Sequence, residues 1–471
     1  MAHQVDGICW DALTSNLVFQ SHPSADVSEA TNLYFRFRPQ QGQEIGQFAE
    51  SLAHAIASET ERERRKYPAR YDPPQRDDII LADEVAHKVQ PLAYAWCQND
   101  CWEFGSKVTN SPDLCRHVES EGFACGCPLP YRERLGSAFL RQYQHNDCFE
   151  FFRVNGDAFF NLQVVNALLV LGEMDPVLRL CAHPAIGLRE WMEARECWDT
   201  DSEVGWDQVF EATLDFYLLL NILDSFRELR AHSSPGSDDY RDTKMYQRTL
   251  FLWTQMHSQA EVPSQFHRRF FGLEDHFEAP FTIERQFHLP IMAKLLAEEQ
   301  ARVPISVPLH NEDDPYEPCL FLNEDNFPFG KVPFEVFLTC DTDAPYHPSA
   351  SDIARVEAYL RHKGLPQELV LDITTWTEYD RPRNRLPVPH DPLHVGNRTV
   401  LEKYLDECFR IMVRCNMLAQ ELGMEIHWPS RVVHALDRLV SSPTGQKLFV
   451  RSQSQIILQG GDGELPWSTH Q

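Results

Sequence analysis

Three carboxylates on one short stretch are the side chains in this sequence best arranged to do chemistry. In His310-Asn311-Glu312-Asp313-Asp314-Pro315-Tyr316-Glu317-Pro318, followed by Asn323-Glu324-Asp325, acids gather between the apolar runs Val303 to Leu309 and Cys319 to Leu322. Pro315 and Pro318 keep the stretch off a regular helix, so it reads as a loop. Asp313, Asp314 and Glu317 could offer oxygen ligands to Mg²⁺. Equally, one carboxyl held at a raised pKa beside another could shuttle a proton. The plain alternative is a solvated acidic loop.

Other constellations are weaker. Five cysteines, Cys97, Cys101, Cys115, Cys125 and Cys127, lie close together with His117 among them. Tetrahedral zinc takes four thiolate or imidazole ligands, but neither Cys97/Cys101 nor Cys125/Cys127 has the two-residue gap of the strong motifs. A shared buried helix face for Cys97 and Cys101, and a tight loop at Cys125-Gly126-Cys127-Pro128, account for them better. His390, Asp391 and His394 could supply two imidazoles and a carboxylate to iron or zinc, although a facial triad also needs a suitable fold position. As a structural alternative, Asp391 or its neighbours cap the helix that follows, with Pro392 easing the turn. No Gly-x-Ser-x-Gly elbow, Gly-x-Gly-x-x-Gly fingerprint or Walker A loop is present, in keeping with only 21 glycines in 471 residues.

The Asp313-Asp314-x-x-Glu317 signature, on an acidic chain of this size, resembles that of the fungal arginine-containing cyclodipeptide synthases. The resemblance rests on these three acids. It implies a transferase of secondary metabolism that condenses arginine from arginyl-tRNA with a second aminoacyl group into a diketopiperazine. Asp313, Asp314 and Glu317 would then bind the guanidinium or move protons, which suits bidentate carboxylate recognition. Because both esters arrive activated, no ATP, metal or other cofactor is needed. The tRNA acceptor stem would require basic side chains to converge, drawn from Arg64, Arg65 and Lys66, from Arg381, Arg383 and Arg385, and from Arg268 and Arg269.

Two rival readings stand beside it. The acids also resemble the aspartate-rich Mg²⁺ site of class I terpene and prenyl enzymes, but there they project from a helix, which Pro315 and Pro318 deny. Asn221 to Glu228 resembles the metal-binding helix of class I terpene cyclases, but Ile222 stands where that motif needs an acid, and an ordinary helix accounts for it better. A non-enzyme reading, an F-box-like adaptor, rests on Leu365 to Ile373, which resembles the first helix of an F-box.

Composition bounds these choices. An apolar fraction of 43%, with 10 Trp and 29 Phe, marks a globular chain, and 471 residues exceed what one core usually holds. The net charge of −27 argues against a broad nucleic-acid groove while leaving room for a local basic patch. No basic segment leads into an apolar run at the N-terminus, and no apolar stretch is long enough for a bilayer. The expectation is a cytoplasmic protein with reduced thiols, no membrane and no DNA partner.

The elements that must position these residues follow from periodicity. Leu33 to Pro39 alternates like a half-buried strand, and Ile45, Phe48, Leu52, Ala55 and Ile56 recur at helical spacing up to Glu61-Arg62-Glu63-Arg64-Arg65-Lys66, a solvated helix end. Helices dominate Phe149 to Arg230, with Val209, Phe210, Leu214, Tyr217 and Leu218 facing a core. Period two at Val332, Phe334, Val336, Leu338 and Cys340 predicts a strand, hence a small sheet in the 303–341 region. Ser351 opens a helix that stops at Gly364, and Leu401, Leu405, Cys408, Ile411, Met412, Cys415 and Leu418 line one face of a long one. The fold class is therefore mixed α/β and helix-rich with a large helical core. Ser233-Ser234-Pro235-Gly236-Ser237 divides a helix-rich part, 1–232, from a mixed part, 240–460, with a flexible tail at 461–471.

Overall fold

The computed structural model describes residues 5–20, 31–36, 41–89, 164–183, 206–226, 239–254, 261–273, 329–330, 333–337, 350–376 and 386–440 and the strands 447–452 and 455–459, apart from isolated positions within them. In chain order the elements are α1 (Trp10–Thr14), β1 (Leu17–Gln20), β2 (Asn32–Phe35), α2 (Gln41–Arg64), α3 (Met174–Cys181), α4 (Asp207–Ser225), α5 (Lys244–Thr254) and α6 (Glu261–Phe271). They continue with α7 (Ala350–His362), α8 (Gln367–Trp376), α9 (Arg398–Glu421), α10 (Trp428–Leu439), β3 (Lys447–Ser452) and β4 (Gln455–Gln459). The chain is helix-rich mixed α/β, as its periodicity predicts. No helix among the described residues is long and apolar enough to cross a membrane.

The strands form two antiparallel hairpins, β1–β2 with Leu17 opposite Phe35 and β3–β4 with Lys447 opposite Gln459. The strand expected at 332–340 is absent where the structure describes it, because Phe334–Phe337 is a helical turn. Phe334, of the alternating set, is paired instead at i, i+3 with Phe337, which lies outside that set, and their rings stack with centroids 6.1 Å apart. Pro333 stands just before the turn, and its carbonyl accepts from Phe337 N at 3.0 Å.

Two compact units divide the chain: residues 1–266, 329–331 and 402–471 in the first, 267–328 and 332–401 in the second. The divide expected after Ser233 thus falls within the span of the first unit. There the helices before and after it share a core, as the Trp253 indole of α5 donating to Asp215 of α4 at 2.8 Å illustrates.

The first unit is built round α4, of which only Asp207, Glu211 and Ser225 escape full burial. A helix buried on every side must satisfy its own polar groups. Thr213 Oγ1 donates to the Val209 carbonyl at 2.8 Å, and Asn221 Nδ2 donates to the Tyr217 carbonyl at 3.0 Å. Round α4 pack α5 and α10, and α10 also packs on α2 and β3. Aromatic rings knit these helices: Trp10 lies 5.0 Å from Phe48 and 5.8 Å from Tyr217, Tyr217 lies 5.9 Å from Phe409, and Phe210 lies 5.5 Å from Trp428.

One polar seam crosses this core. Trp428 Nε1 donates to Asn416 Oδ1 at 2.9 Å, Asn416 Nδ2 donates to Thr60 Oγ1 at 3.0 Å, and Thr60 donates to the Ile56 carbonyl at 2.7 Å. It fixes the register of α2, α9 and α10, since a one-residue slip would bury unsatisfied donors.

In the second unit α7 and α8 form a helical hairpin. Gly364, at φ 89°, ends α7, with Leu365 N bonded to the Leu360 carbonyl at 3.2 Å and Gly364 N to the Arg361 carbonyl at 2.9 Å. Only glycine takes that backbone conformation without strain.

Candidate functional site

A cleft of about 180 Å³ opens where the start of α4 meets the connection from α9 to α10. Gly423, at φ 69°, closes α9, with Met424 N reaching back to the Ala419 carbonyl at 2.8 Å. The chain then runs through Met424, Glu425 and Ile426 to His427, which caps α10: its Nδ1 accepts from Ser430 N at 3.3 Å and lies 2.6 Å from Ser430 Oγ. Trp206 and Phe210 form the aromatic wall of the cleft, and Asp207 and Glu425 place carboxylates on it. Although a serine hydroxyl on an imidazole is what a nucleophile needs, here that imidazole nitrogen already holds the helix's first turn.

Behind the cleft runs a set of charges that joins α4 to α10. The Arg431 guanidinium lies 5.3 Å from the centroid of the Phe210 ring and donates to Glu211 Oε1 at 2.6 Å. Arg438 bridges two acids of α4, donating to Glu211 Oε2 at 3.2 Å and to Asp215 Oδ1 at 3.0 Å. Burial pushes the Asp215 carboxyl above its ordinary range, against the pull of Arg438 and of the Trp253 N–H. Arg438 is less deeply buried. Burial works against its charge, but Asp215 and Glu211 hold its pKa up. His434, 3.2 Å from Arg438 Nη1, is pushed down by burial and then by that guanidinium. The network can orient the cleft wall and hold fixed charges out of water, and its only edge on the cleft is Arg431.

Residues 11–450 match the model of one protein family, described as Gramillins biosynthetic cluster protein GRA5. The chain belongs to that family. Its description places it in a biosynthetic cluster, and thus in secondary metabolism. No curated protein and no solved structure matches the chain.

In this family member the residues singled out by sequence fall into three groups. Asp313, Asp314 and Glu317 lie outside the described residues, as do Arg381, Arg383 and Arg385 and the cluster Cys97, Cys101, Cys115, Cys125, Cys127 and His117. Arg64 is bound into the fold: it donates to Glu421 Oε2 of α9 at 3.0 Å and to the carbonyls of Pro68 and Ala69 at 2.5 and 3.2 Å. Arg65 and Lys66 project outward at 79% and 63% side-chain exposure, each beside an acid of its own helix end, Glu61 and Glu63. Arg268 is buried and Arg269 exposed, so the two point apart.

Asp391, through its carbonyl, and His394 serve the helix start, and His390 precedes them at φ 56°. His394 Nδ1 accepts from Gly396 N at 3.0 Å, capping the 3₁₀ turn Val395–Asn397 that leads into α9. Asn397 Nδ2 holds the carbonyls of Val388 and Asp391 at 2.8 and 2.6 Å. Among the described residues no group of His, Cys, Asp and Glu is arranged to hold a metal ion. Asn221, of the segment compared with a metal-binding helix, is fully buried and turned onto its own helix.

Sequence reading missed the network behind the cleft. Its signal was present as charges at helical spacing inside apolar helices: Glu211 and Asp215 four apart, and Arg431, His434 and Arg438 three and four apart.

Proposed function

We propose that this protein is a tRNA-dependent synthase that makes an arginine-containing cyclic dipeptide from arginyl-tRNA and a second aminoacyl-tRNA. The observation that carries the reading is the Asp313-Asp314-x-x-Glu317 signature within the span matched by a biosynthetic-cluster family. The reaction is two aminolyses. The α-amine of one aminoacyl group attacks the ester carbonyl of the other, forming an amide and releasing one tRNA hydroxyl. The remaining α-amine then attacks the second ester, closing the ring and releasing the second tRNA. Each step moves one proton from nitrogen to the departing oxygen, work that two carboxyls of differing pKa can share without a metal. Asp313, Asp314 and Glu317 are the groups assigned to it and to the guanidinium. Arg65, Lys66, Arg381, Arg383 and Arg385 are the cations assigned to the acceptor stem, Arg64 being engaged with Glu421.

The test is to incubate the pure protein with arginyl-tRNA and mixed aminoacyl-tRNAs and to look for diketopiperazines by mass spectrometry. An arginine diketopiperazine is expected, lost in Glu317→Ala while the circular dichroism spectrum stays unchanged. Intact esters with wild-type protein would refute the proposal.

One observation favours an adaptor as the second reading. The α7–α8 hairpin leaves Val356, Tyr359, Leu369, Leu371 and Ile373 exposed, and apolar side chains gathered at a surface favour a protein partner. An adaptor would leave both aminoacyl-tRNAs intact in the same incubation.

A further inference from the structure

We propose that the α7–α8 hairpin is a dimerisation surface, covered by the same hairpin of a second copy of this chain. The inference does not rest on the synthase reading or on the acidic motif at 313–317. It begins with α8. At about 3.6 residues per turn, Leu369, Val370, Leu371 and Ile373 point round most of the helix, and a helix apolar on several sides calls for cover on several sides. α7 packs against α8, yet of these four only Val370 is buried, and Leu369, Leu371 and Ile373 are exposed, Leu369 to 51%. On α7, Val356 and Tyr359 stand three apart on one face, and both are exposed, Tyr359 to 60%. Lys363, four residues further on, holds its ammonium 5.3 Å from the centroid of the Tyr359 ring.

Charge selects the cover. Lys363 follows the last turn of α7 and is exposed, whereas the exposed charges of α8, Glu368 and Asp372, are both acidic. Arg361 is engaged with Glu357 of its own helix at 3.0 Å. Among the described residues, Lys363, Glu368 and Asp372 have no ion pair. A hairpin with a cation on one helix and acids on the other is complementary to itself. In a two-fold contact, where α7 of one copy meets α8 of the other the reverse contact forms too, and every pair is made twice. A partner of one sign of charge would match only one of the two helices.

The heights along the helices agree with this pairing. Lys363 and Glu368 both lie near the turn at Gly364. A two-fold axis along the hairpin sets the two turns side by side, runs α7 of one copy antiparallel to α8 of the other, and brings Lys363 to Glu368 of the second copy. With a rise of ~1.5 Å per residue, Tyr359 then falls between Leu369 and Ile373, and Val356 falls level with Ile373. The product is a four-helix bundle of antiparallel neighbours, with one short turn in each copy.

Sedimentation velocity of the full chain tests this at 0.15 M salt, where repulsion between two acidic chains is screened beyond about 8 Å. A monomer–dimer equilibrium is expected, with a dissociation constant on the order of micromolar for an interface of two helices a side. Leu369 and Lys363 are exposed, so substitutions there keep the fold, which thermal denaturation checks. Leu369→Glu should leave the chain monomeric at concentrations where the wild type is dimeric. Lys363→Glu should weaken the dimer about tenfold or more by setting like charges together. Combining Lys363→Glu with Glu368→Lys exchanges the signs and should restore the dimer. A wild-type chain that stays monomeric, a dimer indifferent to Leu369→Glu, or an exchange that fails to rescue Lys363→Glu would each overturn the proposal, and the first would leave the exposed face to a different protein.

Discussion

Replacing Arg438 by methionine isolates the energetic role of the charge network. The methionine keeps the apolar stem that packs along α10 and removes only the guanidinium. Asp215, whose side chain is 2% exposed, then retains the neutral Trp253 N–H at 2.8 Å and loses its cation at 3.0 Å. Glu211 keeps Arg431 at 2.6 Å and suffers less. Breaking a buried pair from one side costs about 3–5 kcal/mol, which lowers the melting temperature by on the order of 10 °C. Adding Asp215→Asn should recover most of the loss, since no uncompensated charge is then left in the core.

The loss must also depend on pH. Burial already holds the Asp215 carboxyl above its ordinary range in the wild type, and removing Arg438 takes away the first of the forces that pull it down, so the variant's carboxyl titrates higher still. Between the two folded pKa values the variant's fold holds a proton that the wild type has released, so its stability relative to wild type is retained below the wild-type folded pKa and lost as pH rises through the variant's own. Thermal denaturation at pH 4.5 and 7.5 measures this directly. A deficit under about 1 kcal/mol, or one equal at both pH values, would refute the view that Arg438 acts as the counter-charge of a buried acid.

Two further perturbations probe the scaffold. Gly172→Ala places a Cβ at φ +78° and 2.9 Å from Arg414 Nη2, a guanidinium held by the Leu169 carbonyl at 3.1 Å and by Glu407 at 2.7 Å, so a loss of about 1–2 kcal/mol from the backbone alone should appear in the melting temperature and persist in Arg414→Gln. His267 is fully buried and pushed down to about 3. The unfolded chain, titrating near 6.5, therefore binds the extra proton, and stability is complete above about pH 6.5 and falls toward pH 3. By pH 5 the loss is about 2 kcal/mol, and His267→Gln should flatten the slope of melting temperature against pH.

The faces of the helices were legible because burial leaves a local mark. Ile45, Phe48, Leu52 and Ile56 of α2, and Leu401, Leu405, Cys408, Ile411, Met412, Cys415 and Leu418 of α9, are all buried, and the stop at Gly364 is visible from its type and place. What faces each helix was not legible. Arg431 and Glu211 are 220 residues apart, and a periodic pattern names the apolar side without naming its partner. The same limit hid the interrupted first unit, whose pieces 1–266, 329–331 and 402–471 are joined by packing alone. At 334–337 the local mark itself misleads, because Phe334 fits the alternation and also a helical spacing to Phe337. Of the candidate site residues, the acids at 313–317 announce themselves by density, whereas Glu211, Asp215, Arg431 and Arg438 are single charges that become a group only when α4 meets α10.

The placement of the cations bears on how a synthase of this composition would take a polyanionic substrate. Arg64 is tied to Glu421, Arg414 to Glu407, Arg431 and Arg438 to Glu211 and Asp215, and Arg241 to Asp239, each at 3.2 Å or less. These guanidiniums stabilise helix junctions and turns, and the field beyond them is that of a chain with net charge −27. Phosphate contacts would then be few, each contributing a slope of only about −0.7 in log affinity against log salt. Recognition under the proposed function would lie mainly at the aminoacyl end, where an acidic protein suits a cationic side chain and Asp313, Asp314 and Glu317 provide the counter-charge. A short arginyl ester lacking the tRNA body should therefore serve as a substrate nearly as well as arginyl-tRNA. If product forms only with the full tRNA and vanishes steeply with salt, affinity comes from phosphate contacts, and the acids at 313–317 lose their assigned part in selecting arginine.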